Sequence, residues 1–161
     1  MDAHMRETRP SSSPATVPVS ESVRFEVPFH DIDMLEVVWH GHYYKYFEYG
    51  RTVLFRKVGL DVPQLRELGY SMVVSESHCR YLSPLAYGMP VTCRASVVEW
   101  EFRLKISYEL FQEGRDKPLA KGYTIQVALE GVGGKLLMVM PEALASRFAP
   151  QAPAQENTHD T

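Results

Sequence analysis

The stretch from Phe29 to Gly59, FHDIDMLEVVWHGHYYKYFEYGRTVLFRKVG, constrains this chain most. Its second half is a helix by period: Tyr43, Phe47, Gly50, Leu54 and Val58 recur at three- and four-residue spacing, which puts them on one face. Gly59 fits a left-handed stop, and Pro63 opposes continuation. Before the helix come two carboxylates, Asp31 and Asp33, in a segment that reads as a loop, then Val37-Val38-Trp39 and His40-Gly41-His42. Asp33 thus lies seven residues before His40. A helix start presents unpaired N–H groups and a partial positive charge. Such an end can hold a developing oxyanion while a nearby carboxylate attacks a carbonyl or activates water against it.

The rest of the chain reads as strands. Val23 to Pro28 alternates and leads into the aspartate loop, and Val62 to Leu68 makes a short helical turn ending at Gly69. From Ser71 the period changes to two, with strands expected over Met72–Leu82, Val91–Trp100, Leu104–Leu110 and Leu119–Leu129. Pro84, Gly88-Met89-Pro90 and Glu113-Gly114-Arg115-Asp116 punctuate them, and Glu142 to Phe148 reads as a closing helix behind Pro141. One long helix against a strongly curved sheet buries both apolar faces. Gly50 in mid-helix costs about 1 kcal/mol against Ala, so close approach of helix to sheet is its expected compensation. The fold class is α+β.

At 161 residues the chain is expected to form one domain over 21–149, with a disordered leader at 1–20 and a disordered tail at 150–161, both rich in Pro and polar residues. A net charge of −3 without a basic bias argues against a nucleic-acid partner. No apolar run reaches membrane-spanning length and the N-terminus has no hydrophobic signal core, so a cytoplasmic location without membrane insertion is expected. Cys79 and Cys93 then read as reduced, buried small residues, although a pairing across a hairpin stays open.

The pattern D-x-D, then V-V-aromatic-H-x-x-Y, then Phe47-Glu48 and Arg51, resembles the 4-hydroxybenzoyl-CoA thioesterase family of hotdog-fold proteins. Tyr81-x-x-Pro84 with Gly88 is similar to that family's Y-x-x-P-A-x-x-G-D segment, and Gly122 to Val127 looks like its final strand. The resemblance covers roughly residues 22 to 148. It implies a hotdog fold, a curved antiparallel sheet of about five strands wrapped around one central helix. It makes Asp33 the catalytic carboxylate and His40 the residue whose backbone amide sits in the oxyanion hole. Glu36 stands where the family usually has Gly, and His42 where it often has Asn. The implied substrate is an acyl thioester of coenzyme A or of the phosphopantetheine arm of an acyl carrier protein, with no separate cofactor. The implied assembly is a homodimer or homotetramer.

Val38, Trp39 and Tyr43 are candidate walls for the acyl group or pantetheine, beside His40. Taken without the family pattern, Asp33 reads as a loop acid capping the helix or its first turn, and Asp31 as a loop-orienting or solvated one. Glu48 pairs naturally with Arg51 at i+3 and is a weaker candidate base. His30, Asp31, Asp33, His40 and His42 invite a metal reading. His-x-His at a helix start sets the two rings roughly 200° apart; only an extended segment brings them together, and no metal is expected. There is no G-x-S-x-G elbow and no phosphate-cradling glycine motif. Two further readings stay open: a hotdog dehydratase or hydratase using an Asp33–His40 pair, and a non-catalytic acyl-thioester-binding module.

Overall fold

The computed structural model describes residues 16–153. Strand β1 (Ser20–Glu26) enters a loop with two single 3-10 turns, Phe29–Asp31 and His40–His42, and then α1 (Tyr43–Lys57). Next come the short α2 (Val62–Glu67), β2 (Tyr70–Tyr81), β3 (Pro90–Glu99), β4 (Leu104–Gln112), β5 (Ala120–Glu130) and a closing helix α3 (Glu142–Phe148). The strands form one antiparallel sheet in the order β1-β3-β4-β5-β2. This is the one-helix, five-strand arrangement of a hotdog fold. Elements fall within a few residues of the expected positions, and Glu142–Phe148 matches throughout.

The period-two pattern becomes burial in β3, where Val91, Cys93, Ala95 and Val97 turn inward, and in β4, where Leu104, Ile106, Tyr108 and Leu110 do the same. Helix α1 lies across β1, β3 and β4. Gly50 is a point of close approach: a Cβ there would sit 2.7 Å from Cys93 Sγ and 3.3 Å from Ala95 Cβ. One turn earlier, Phe47 stacks on Tyr108 with ring centroids 4.7 Å apart. The helix stops at Gly59, whose φ is 69°. Arg147 of α3 then donates to the Gly59 carbonyl at 2.9 Å, and Phe148 packs on Phe55.

Cys93 lies in β3 and Cys79 in β2, with β4 and β5 between those strands. The two thiols therefore do not face each other across a hairpin, and burial pushes both pKa values up, that of Cys93 to about 12. Most of the expected leader and tail falls outside the described residues. At their margins Val17 and Gln151 exchange two backbone hydrogen bonds, at 2.9 and 3.1 Å, and Val19 is buried. Ordered chain thus reaches a few residues into both segments. Among the described residues no helix is long and apolar enough to cross a membrane.

Candidate active site

The aspartate loop is a tight hairpin. Ile32 bridges Val38; Asp33 N–H donates to the Val37 carbonyl at 2.9 Å, and Glu36 N–H returns to the Asp33 carbonyl at 3.0 Å. The Asp33 carboxylate accepts from the Leu35 N–H at 2.8 Å, an Asx turn. Closing so short a loop forces Glu36 to φ 63°, making it the non-glycine residue with positive φ among the described residues. Glycine has no Cβ penalty there, which is the physical reason a glycine suits this position.

Two residues before Asp33, the chain turns the other way. Asp31 is buried and accepts from Tyr46 OH at 2.6 Å and from Lys45 Nζ, both on the first turns of α1. His30 Nε2 and His42 Nε2 stand 3.6 and 3.8 Å from the same carboxylate. Burial opposes ionisation of Asp31, but the hydrogen bonds from Lys45 and Tyr46, with the charge of Lys45 and of His42, outweigh it and hold the pKa below the usual range. Burial, then the adjacent carboxylate, pushes the Tyr46 phenol far up. The Asp31 carbonyl also accepts from Trp39 N–H at 3.0 Å. Asp31 therefore clamps both ends of the hairpin to the helix; it is the loop-orienting acid and not a solvated one.

After the hairpin the chain enters the helix through His40–His42. His42 N–H donates to the Trp39 carbonyl at 2.9 Å, and Tyr81 OH donates to the His40 carbonyl at 2.9 Å. Among the described residues, no backbone or side-chain acceptor takes the N–H of His40 or Gly41. Trp39 folds back over Gly41: a Cβ there would fall 2.2 Å from the indole and would have to displace it. Tyr43 presents its ring edge-on to Tyr81 at 4.7 Å. Burial raises the Tyr43 phenol, and a hydrogen bond from the Leu85 backbone partly offsets this. Burial beside Cys79 pushes Tyr81 to about 12, so both hydroxyls are neutral donors near neutral pH.

An open cleft of about 300 Å³ lies against this helix start, walled by Val38, His40 and Tyr43 on one side and by Tyr81, Ser83 and Pro84 on the other. The structure thus brings Val38, His40 and Tyr43 together. Trp39 packs instead on the rings of His40 and His42, and is about half exposed. Asp33 sits beside the cleft on the hairpin and does not line it within a single chain. Glu48 is bonded to Arg51, the expected helix pair, and stands apart from the cleft. The His40 ring lies between Trp39 and Tyr81, with no hydrogen bond to Asp33 among the described residues. Nor do any three His, Cys, Asp or Glu side chains among those residues converge as a metal would need. Lys45 and Tyr46 escaped the sequence reading because nothing in helical spacing shows which loop acid a helix residue will meet. Tyr81 had a signal, its Tyr-x-x-Pro match, but not its bond to His40.

A family model described as the thioesterase-like superfamily matches residues 27–148. A protein of Aquifex aeolicus (strain VF5), named provisionally as an esterase, is 29% identical over 122 residues, 75% of this chain and 92% of that protein. A crystal structure of a hypothetical protein from Aquifex aeolicus superposes with a TM-score of 0.72 at 26% identity, covering 80% of this chain and 99% of the other. The fold is also that of an aspartate-to-asparagine variant of 4-hydroxybenzoyl-CoA thioesterase complexed with 4-hydroxybenzoyl-CoA, with a TM-score of 0.70 at 16% identity over 81% of this chain and 99% of that one.

Proposed function

The chain belongs to the thioesterase-like superfamily and is a thioester hydrolase, and we propose from this that it cleaves acyl-CoA to a free acid and coenzyme A. The observation that carries the reading is the hairpin itself. Through the Ile32–Val38 bridge it joins Asp33 to a helix start with two unpaired N–H groups, those of His40 and Gly41. In this mechanism those N–H groups receive the thioester carbonyl oxygen as it becomes an oxyanion. Losing one such donor typically costs ~10²–10³ in rate. Asp33 then acts in one of two ways. As a base it takes a proton from water while the hydroxide adds to the carbonyl carbon; the tetrahedral intermediate collapses, the C–S bond breaks and the thiolate leaves. As a nucleophile its carboxylate adds to the carbonyl carbon, the C–S bond breaks and the thiolate leaves, giving an acyl–Asp33 anhydride that water opens in a second step to the free acid and the carboxylate. Val38, Tyr43 and Pro84 form the apolar wall against the acyl group or pantetheine. A dehydratase would use an acid–imidazole pair, and the packing of the His40 ring against Trp39 and Tyr81 favours no such pair.

We also propose that the active form is a homodimer or homotetramer. β2 runs twelve residues and, among the described residues, pairs only with β5 and leaves its other edge open. A long open edge is an association surface unless covered, and Asp33 outside the single-chain cleft suits a site completed by a second copy. Light scattering at micromolar concentration checks this; a fully active monomer overturns it. For the chemistry, thiol release is measured over short, long, branched and aromatic acyl-CoAs. Turnover of at least one is expected. Tight binding of all without thiol release overturns the hydrolytic reading in favour of a binding module.

A further inference from the structure

The cleft has a neighbour. Leu82 and Ser83 line it and also line a neighbouring groove of about 640 Å³, together with Pro118 and Leu119. The shared wall is fixed, because the N–H groups of Leu82 and Ser83 both donate to the Leu119 carbonyl at 2.9 Å. The rim of the groove carries Arg115, Lys117 and Lys121 against the single carboxylate of Asp116. In a chain of net charge −3 that is a local reversal of sign. Lys121 is partly neutralised by Glu109 at 3.3 Å, but among the described residues no salt bridge engages Arg115 or Lys117. Both are exposed, on the turn between β4 and β5 that Gly114 closes at φ 77°.

We propose that this groove is the phosphate-binding end of the acyl-CoA site, with Arg115 and Lys117 as the residues that hold the pyrophosphate and ribose phosphate of the cofactor portion. The proposal rests on the acyl-CoA reading of the adjoining cleft. A thioester carbonyl held at His40 and Gly41 leaves its sulfur-linked arm to run out of the cleft. Leu82 and Ser83, which line both, place the groove next to the cleft along the way such an arm would leave. At the far end of the arm coenzyme A carries several negative charges, and the rim there presents cations. A guanidinium meets a phosphoryl group with two parallel hydrogen bonds, and an ammonium supplies a compact point charge. The same cations raise the local concentration of an anionic substrate at low salt.

The test uses Arg115→Glu/Lys117→Glu in the full chain, with melting temperature as the check on folding. Free coenzyme A and pantetheine, which lacks the phosphates, are titrated by calorimetry against wild type and variant. The expected result is coenzyme A affinity lowered on the order of tenfold or more, with a weaker salt dependence, and pantetheine affinity unchanged. Equal affinities of the two proteins for coenzyme A overturn the proposal, as does a wild type that binds pantetheine as well as coenzyme A. If the variant loses binding of an acyl carrier protein while keeping that of coenzyme A, the groove serves the carrier protein and the proposal also fails. Kinetics separate this from the parent reading. The variant should show a raised KM for acyl-CoA, an unchanged kcat, and unchanged turnover of the acyl N-acetylcysteamine thioester. Absence of thiol release from any thioester defeats the parent reading, while the titration still decides the groove.

Discussion

The two halves of the sheet solve different problems. In the half made of β1, β3 and β4, α1 covers the inner face, and β3 alternates between buried residues and partly or fully exposed ones. In the other half, β2 is exposed on both faces from Val73 to His78, and among the described residues one of its edges is unpaired. The candidate cleft lies on the seam: His40 and Tyr43 come from the covered side, Tyr81 from the end of β2 and Ser83 from just beyond it. The difference teaches where rigidity and access come from. The covered half ties the helix start to the hairpin through Asp31, Lys45 and Tyr46, and so holds the proposed oxyanion donors at His40 and Gly41 beside the cleft. The open half leaves the cleft reachable and supplies the groove beside it.

Breaking the clamp on the covered side should have the largest effect. Asp31→Asn removes the charge from a fully buried carboxylate facing Lys45, so the expected loss is about 3 kcal/mol of stability, at the low end for a broken buried pair because Lys45 is partly solvated. Thermal or urea unfolding measures it. The pH dependence gives a second reading. Because folding lowers the Asp31 pKa, its contribution is fully present above the ordinary carboxylate value near 3.9 and is lost as pH falls through the depressed folded value. Wild type should therefore lose stability in that acid window, and the variant should lose less. Equal stability of the two proteins at pH 7 would show that the clamp is dispensable.

Asp33, two residues away, should behave in the opposite sense. Asp33→Asn can still accept the Leu35 N–H, so the hairpin persists, but the negative charge is gone. kcat should fall at least ~10²-fold, roughly 2.7 kcal/mol in the barrier, with the melting temperature almost unchanged. Glu48→Gln, measured in parallel, should leave kcat within a few-fold, because Glu48 is occupied by Arg51. A large rate loss in Glu48→Gln beside normal turnover in Asp33→Asn would move the chemistry onto the helix. An Asp33 that only caps the turn would instead cost about 1 kcal/mol of stability and leave turnover intact.

Gly50 tests how tightly the covered half is packed. Gly50→Ala gains about 1 kcal/mol in helix propensity but drives a methyl group to 2.7 Å from Cys93 Sγ. Overpacking near the upper end of its usual ~1–3 kcal/mol should leave a net loss of about 2 kcal/mol. Adding Cys93→Ala, which removes the sulfur, should restore part of it. If the double variant is no more stable than Gly50→Ala alone, the crowding lies elsewhere.

These contrasts also mark how much was legible from the chain alone. The helix, its stop at Gly59, the strands and the close approach at Gly50 were readable, because each follows from a local period or from a glycine with one structural use. The Glu48–Arg51 pair was readable for the same reason. What was not readable depended on contacts between distant segments. Nothing near Asp31 in sequence marks it as the buried acid and Asp33 as the accessible one; that is decided by which side of the hairpin meets Lys45 and Tyr46. A pairing of Cys79 and Cys93 across a hairpin stayed open beside the favoured reduced reading until the strand order put two strands between them. The groove was equally hidden, since Leu82 and Leu119 meet only in the folded sheet.

The smallest expected effect concerns the hairpin that joins the two aspartates. Glu36 sits at φ 63°, where a side chain with a Cβ is strained by about 1–2 kcal/mol and glycine is not. Glycine also has more unfolded conformations to lose, which returns part of that gain. Glu36→Gly should therefore stabilise the protein by about 0.5–1 kcal/mol, measured as a shift of the unfolding midpoint. Glu36→Ala separates the two contributions, since it keeps the Cβ and removes the carboxylate; it should gain nothing. The Glu36 side chain is exposed and makes no hydrogen bond among the described residues, so neither change should move kcat by more than a few-fold. If Glu36→Gly is destabilising, the turn is held by the unfolded-state restriction of a side chain, not opposed by it. If it is neutral in stability but lowers kcat, the stiffness of a non-glycine residue at this turn helps hold Asp33 against the helix start, and the clamp at Asp31 is only half of what positions it.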